Sequence, residues 1–322
     1  MSNSSLKVVR FRVVPPIIAA ALAALLILPG CATNRYQTPV TSFQATTQQT
    51  VNVLSDFYAS RNSYEIDAYL QTVAADPSLA VLTVDAQGAP TPLGKSVFSP
   101  LAIKARLDAL NLVGIYASRL ADLANSDAPA QFQSASTLLG QNFSSLDTTF
   151  QKLTRSADPT AQKYAGPITS LIGTIGQMYL ERKREELVAK AIKDGAPQVD
   201  TILSLVRDDM DTIFSLQVTT GASEKLAVMA VAYNNERANL SYEQRLNRLM
   251  QIKAASTEAA ASVGSAPSGV VTSMLAAHHA LVQLANSPPK TRIASLAQLN
   301  SALVQWTNQI QSVAAQVKIL VH

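Results

Sequence analysis

The sequence predicts an all-α protein, an elongated antiparallel helical bundle with a long projecting helical hairpin, and three observations predict it. Of 322 residues, twelve are Gly and fifteen Pro, together roughly 8% against the roughly 12% of average usage, a shortage of the residues that punctuate all-β chains. Apolar side chains recur at steps of three and four over long windows, which is the period of a helix face. No run alternates apolar and polar residues as a half-buried strand would; Val81 to Val84 is at most a short extended piece. A 48% apolar content suits one or two packed domains, and a single cysteine excludes a disulfide-built chain.

The elements follow in order. Lys7, Arg10 and Arg12 precede an uncharged apolar stretch from Val13 to Leu28, which ends in Leu28-Pro29-Gly30-Cys31. A basic start, an apolar middle and a small-residue end are signal-peptide order. The stretch is about 16 residues, short of the roughly 20 that a helix needs to cross the hydrocarbon core, and Pro15-Pro16 shortens its helical part further.

Leu28, Gly30 and Cys31 resemble the lipobox of bacterial lipoproteins, with Pro29 departing from the small residue usual at its place. The resemblance implies cleavage between Gly30 and Cys31, diacylglycerol on the Cys31 thiol, and a further acyl chain such as palmitate on the new amino terminus. Two or three acyl chains anchor a protein stably where one would be marginal. Ala32, rather than Asp, after the cysteine implies the periplasmic face of the outer membrane, with the inner membrane and the cell surface as alternatives. On this reading residues 1–30 are a signal peptide, 31–42 a lipid-anchored tether, and 43–322 the helical bundle. The Thr-, Gln- and Ser-rich stretch from Ala32 to Thr50 reads as that tether passing into a first helix near Phe43. Without the three basic residues of the leader, 23 of the 26 Lys and Arg remain against 22 acidic residues. That near-neutral balance is no footprint for nucleic acid.

The first helix is expected to stop at Asp76-Pro77, and the Gly- and Pro-rich residues 77–99 to form the longest loop. Ser99-Pro100, Asp127 with Pro129, and Asp158-Pro159 each place a side-chain acceptor before a proline, as helix starts do. The second helix carries Leu112, Ile115, Leu120 and Leu123 on one face and Gly114, Ala117, Ala121 and Ala124 on another. The small face is read as a site of close helix packing, with a partner groove as the alternative. Phe132, Leu139, Phe143, Leu146, Phe150 and Leu153 form the seam of a third helix. Gly264 to Gly269, around Pro267, and then Pro288-Pro289 mark the last breaks, and Leu296, Leu299, Leu303, Trp306, Ile310, Val313, Val317 and Leu320 the seam of the final helix.

Charge is dense between Glu181 and Asp211, with fourteen charged residues in 31. Gly195-Ala196-Pro197 combines a helix stop with a start. The expectation is a helix from Pro159 to Lys193, about 50 Å long, turning at Gly195 into an antiparallel limb. Folding it so pairs Lys183 with Asp208 and Arg182 with Asp209, while Arg184 meets Arg207 unless an offset brings Glu185 there instead. Arg182, Lys183, Arg184, Asp208, Asp209 and Asp211 are then either a self-satisfied register or a tip that contacts another envelope protein. The polar run Asn234 to Arg248 reads as a second exposed helix or long-helix tip.

His278-His279 lies in an Ala-rich helix where neighbours diverge by about 100°, so the pair is not read as a shared metal site and is expected at the boundary or in solvent. The sequence contains no His-Glu-x-x-His, no Gly-x-Ser-x-Gly and no phosphate-binding glycine loop, and Asp208, Asp209 and Asp211 lack the spacing of a calcium loop. These readings lead us to expect no cofactor and a non-catalytic scaffold or accessory role in the cell envelope, with membrane contact through acylated Cys31 and an envelope protein as partner. The alternatives are a periplasmic immunity protein that neutralises a delivered toxin and, further off, an envelope hydrolase.

Overall fold

The computed structural model describes residues 35–76, 78, 79, 98, 100–124, 162–180, 184–213, 219–263 and 267–321. Among them are eight helices and no strand: α1 (Gln37–Ala75), α2 (Pro100–Ala124), α3 (Ala165–Leu180), α4 (Arg184–Ile213), α5 (Thr219–Glu236), α6 (Tyr242–Val263), α7 (Ser268–Asn286) and α8 (Arg292–Val321). The all-α helical bundle read from the sequence is the fold. None of the described helices is long and apolar enough to cross a membrane. The lipobox, most of the 77–99 loop and the third predicted helix with its Phe132 to Leu153 seam lie outside the described residues.

Five helices close into a ring. α1 packs on α2, α2 on α4, α4 on α7, α7 on α8, and α8 back on α1. One hydrophobic core fills the ring, with Phe43, Leu54, Leu110, Val113, Ile192, Ile202, Val271, Leu281, Leu299 and Trp306 all buried. α3 leans on α2 and α4, while α5 and α6 pair with each other and reach the ring at α1 and α8. The register between α1 and α2 is antiparallel, because Gln44 bonds Ser118 at 3.2 Å near one end and Asn62 bonds the Phe98 backbone at 3.1 and 3.2 Å at the other. Between α2 and α4 it is antiparallel as well, with Tyr116 against Gly195 and Arg106 against Asp209.

α1 begins at Gln37, six residues before Phe43, so the segment read as the end of a tether is helix, and Tyr36, Pro39 and Val40 are buried. The reason lies in the threonines that made it look like a linker. Thr46, Thr47 and Thr50 each return their hydroxyl hydrogen to the carbonyl four residues back, at 2.8, 2.8 and 3.0 Å. Satisfied in this way, their polar atoms no longer oppose burial. On α2 the small face packs internally, with Ala117, Ala121 and Ala124 buried and a Cβ on Gly114 falling 3.5 Å from Thr47 of α1. Helix starts at Pro100 and after Pro267, and the stop after Ala75, fall where the sequence placed them. The final seam is buried from Leu299 to Val313 and exposed at Leu296.

Another expectation is overturned. The chain does not turn at Gly195-Ala196-Pro197, because α4 runs through all three residues from Arg184 to Ile213. Its apolar stripe keeps phase across them: Val188, Ile192, Val199, Ile202, Leu203, Val206 and Met210 are all buried, with Gly195 between Ile192 and Val199 on the same face. A Cβ on Gly195 would lie 2.4 Å from Tyr116 Cε2, so glycine is there to admit the Tyr116 ring rather than to end a helix. Pro197 cannot donate to the Lys193 carbonyl, but ring packing on both sides holds the helix together. A helical hairpin is formed instead by α5 and α6, joined by a short turn at 237–241.

Candidate functional site

Among the described residues, three polar clusters and one surface are the candidates for chemistry or recognition. The first is a layer to which all five ring helices contribute. His278 of α7 is fully buried, with its Nδ1 2.8 Å from Asp200 Oδ1 of α4. His279 reaches the other oxygen of the same carboxylate at 3.1 Å through Nε2. Phe43 of α1 and Tyr116 of α2 flank the His278 ring, with centroids 6.0 and 6.1 Å away. Trp306 of α8 packs on Phe43 at 5.4 Å and donates its indole N–H to Thr50 at 2.9 Å.

The two histidines thus diverge as helix neighbours must, yet both turn to one carboxylate. His278 is not the boundary or solvent residue that the sequence suggested, whereas His279 is 56% exposed. Burial holds the His278 imidazole below its ordinary pKa, opposed in part by Asp200. For Asp200, burial works against the charged form, but the bonds and charges of the two histidines outweigh it and leave the carboxyl below its usual range. With its pKa held down by burial, His278 when neutral still donates from Nδ1 to the Asp200 carboxylate. Its Nε2 is enclosed without a hydrogen-bond partner. Among the described residues no group of three His, Cys, Asp or Glu side chains has the geometry to hold a metal.

The second cluster lies further along α2 and α4. Arg106, 1% exposed, places Nη2 3.0 Å from Asp209 Oδ2, and the Tyr164 hydroxyl donates to the same oxygen at 2.9 Å. Lys163 stands 3.9 Å from Oδ1. Burial raises the Tyr164 phenol, and the Asp209 charge adds to the effect. Arg106 Nε and Nη1 and the Tyr58 hydroxyl are buried without partners.

The third cluster fastens α5–α6 to α1. Lys225 pairs with Glu258 at 2.8 Å across the base of the hairpin and sits 4.4 Å from the centre of the Tyr64 ring. Arg61, which is ion-paired with Glu65, lies 4.7 Å from that ring. Burial pushes the Tyr64 phenol up to about 12, with Arg61 opposing.

The surface is the outer part of the same hairpin. Ser241 and Gln244 form a reciprocal capping box: the Ser241 amide donates to Gln244 Oε1 at 2.8 Å, and the Gln244 amide to Ser241 Oγ at 3.2 Å. Arg245 donates to the Leu240 carbonyl at 2.6 Å, which closes the turn. Beyond that turn, Tyr242, Leu246, Leu249 and Met250 are exposed on α6, and Val231 on α5.

Of the residues expected at a contact tip, the three aspartates lie together on α4. Asp209 is spent on Arg106 and Tyr164, while Asp208 and Asp211 are exposed on α4, Asp208 pairing with Arg207 beside it at 2.7 Å. Arg184 opens α4; Arg182, Lys183, Gly30 and Cys31 lie outside the described residues. The cross-limb pairs read from the sequence, Lys183 with Asp208 and Arg182 with Asp209, lie partly outside the described residues, and on α4 itself Lys190 pairs with Asp194, one turn apart at 2.6 Å. Sequence reasoning missed the roles of Arg106, Asp200 and Tyr116. The signal for the hairpin was present in Ser241-Tyr242-Glu243-Gln244. No family model, no curated protein and no solved structure matches the chain.

Proposed function

We propose that this is a non-catalytic scaffold or accessory protein of the bacterial cell envelope, held at the periplasmic face of the outer membrane by acylated Cys31 and docking other protein through its α5–α6 hairpin. The observation that carries the docking role is the concentration of exposed large apolar side chains on that hairpin, where Tyr242 is 72%, Met250 55% and Leu246 47% exposed. Exposed apolar side chains gathered on one element mark an interaction surface, whereas single ones are ordinary. The ring supports the same reading: its histidines and carboxylates hold helices to one another, and the His278 ring is closed off between Phe43 and Tyr116.

The anchor is tested by Cys31→Ser. The variant is expected in the soluble periplasmic fraction, and its retention on detergent-free membranes would overturn the lipid attachment. The docking role is tested by a photo-crosslinking residue at Leu249 in intact cells, with Asp208 on α4 as the control position. Adducts from Leu249 and none from Asp208 are expected; equal yields from both would remove the hairpin from the reading.

A further inference from the structure

On α6, Tyr242, Leu246, Leu249 and Lys253 follow at steps of four, three and four. At 3.6 residues per turn they fall within a stripe about 60° wide. The side of α6 turned toward the rest of the molecule is another one, carrying Arg245, Ile252, Ala255 and Ala259, all at least half-buried or enclosed. The stripe is therefore a helix seam with the spacing of a coiled-coil face that is left open among the described residues, since Tyr242, Leu246 and Leu249 are 72%, 47% and 45% exposed.

We propose that this stripe is a self-association surface, on which α6 of a second copy of this chain packs antiparallel about a two-fold axis between Asn247 and Arg248. The inference rests on the hairpin being the docking element, and it names the occupant. The support is complementarity of the stripe with itself. Setting Leu246 against Leu249 of the second copy brings Tyr242 against Lys253 of the second copy, and the symmetry repeats both contacts on the other side of the axis. Lysine over a tyrosine ring is the contact the hairpin base already makes, with Lys225 4.4 Å from the Tyr64 centroid. Glu243, next to Tyr242, then falls within a turn of the same lysine, so each end of the seam joins opposite charges.

Arg248, the charge nearest the axis, is directed to Glu236 at 3.7 Å on the other side of α6, and two copies of it do not confront each other. A strongly anionic partner is less well matched, because the stripe holds one cation with Glu243 beside it. The polar flanks and apolar centre also suit a closed isologous contact.

The test uses the full-length chain in its own membrane, in cells making two differently tagged forms, one carrying Tyr242→Cys and the other Lys253→Cys. The form without either substitution is the control for Cys31. Mild oxidation is expected to join the two tags in one product. No disulfide product, or linkage of Tyr242→Cys chains to each other in preference, overturns the antiparallel pairing. In a second measurement, the detergent-extracted natural chain is expected to sediment as a dimer, and the Leu246→Glu, Leu249→Glu double variant at half that mass with unchanged helical circular dichroism. A monomeric natural chain overturns the proposal. Photo-crosslinks from Leu249 to a different protein, with none to a second copy, overturn self-association while leaving the docking surface in place; loss of all crosslinks removes both.

Discussion

The α4 helix and the α5–α6 hairpin are both rich in charge, yet one is a member of the ring and the other packs against its outside at α1 and α8. On α4, Asp200 and Asp209 take their partners from other helices, His278 and His279 on α7 and Arg106 on α2. On the hairpin the pairs stay within it: Lys225 with Glu258 at the base and Arg248 with Glu236 toward the tip. Charge density alone therefore does not separate a helix enclosed in the ring from one that keeps an open face. What separates them is whether the apolar stripe beside the charges meets other helices, as Val188 to Met210 does on α4, or solvent, as Tyr242 to Met250 does on α6.

The largest effect expected from breaking that contrast is at the Arg106–Asp209 pair. Arg106→Met removes one partner and leaves the carboxylate nearly enclosed with Tyr164 and the more distant Lys163. Removing one member of a buried ion pair costs about 3 kcal/mol, read as a lower midpoint in chemical denaturation with an unchanged slope. A midpoint within error of the natural chain would mean that α4 is not clamped to α2 there.

Gly195→Ala comes next. The new Cβ would lie 2.4 Å from Cε2 and 2.9 Å from Cζ of the fully buried Tyr116 ring. Overpacking of this kind costs on the order of 2 kcal/mol, beyond what alanine returns in helix propensity. At an exposed turn the same change would do almost nothing. Tyr116→Leu should restore part of the loss, and a double-mutant cycle measures the coupling.

These two positions also show how far the sequence carried. Helices bounded by Asp76, Pro100, Pro267 and Pro288 were legible because proline and its neighbours constrain the backbone locally. The close packing at Gly114 and Ala117 was legible because small residues at helical spacing admit a neighbouring helix. The region around Gly195 was misread because its Gly-Ala-Pro is a local signal, and the opposing signal was the unbroken phase from Val188 through Ile192 and Val199 to Val206. The histidine layer was beyond reach for a different reason: Phe43, Tyr116, Asp200, His278 and Trp306 come together only through the closure of the ring, which no spacing within one helix encodes. The hairpin turn was encoded, in the Ser241–Gln244 capping box.

That layer makes stability pH-dependent. His278 is held below its ordinary value of 6.5 by burial, so as pH falls below 6.5 the unfolded chain takes up a proton that the folded chain refuses. Stability is full above that value and declines as pH drops through it. Asp200, depressed below 3.8 once its histidine partners outweigh the burial that opposes its charge, adds a further loss in the same direction at still lower pH. Denaturation midpoints measured across this range should slope downward toward acid, and His278→Phe, which keeps a ring between Phe43 and Tyr116, should flatten the part near 6.5. An unchanged slope in that variant would take His278 out of the account.

The smallest effect is expected at the tip of the hairpin, where it sharpens the contrast with α4. Glu236 and Arg248 are 53% and 51% exposed and 3.7 Å apart, so water screens their attraction and holding two long side chains together costs entropy. Glu236→Gln should change the unfolding free energy by less than about 0.5 kcal/mol. Lys225→Met, made at the base of the same hairpin where Glu258 is 17% exposed, should cost several times more, because it strands a carboxylate that is mostly out of water. If the two changes proved equal, the base would be as solvated as the tip, and α5–α6 would not be fastened to α1 through Tyr64 and Lys225.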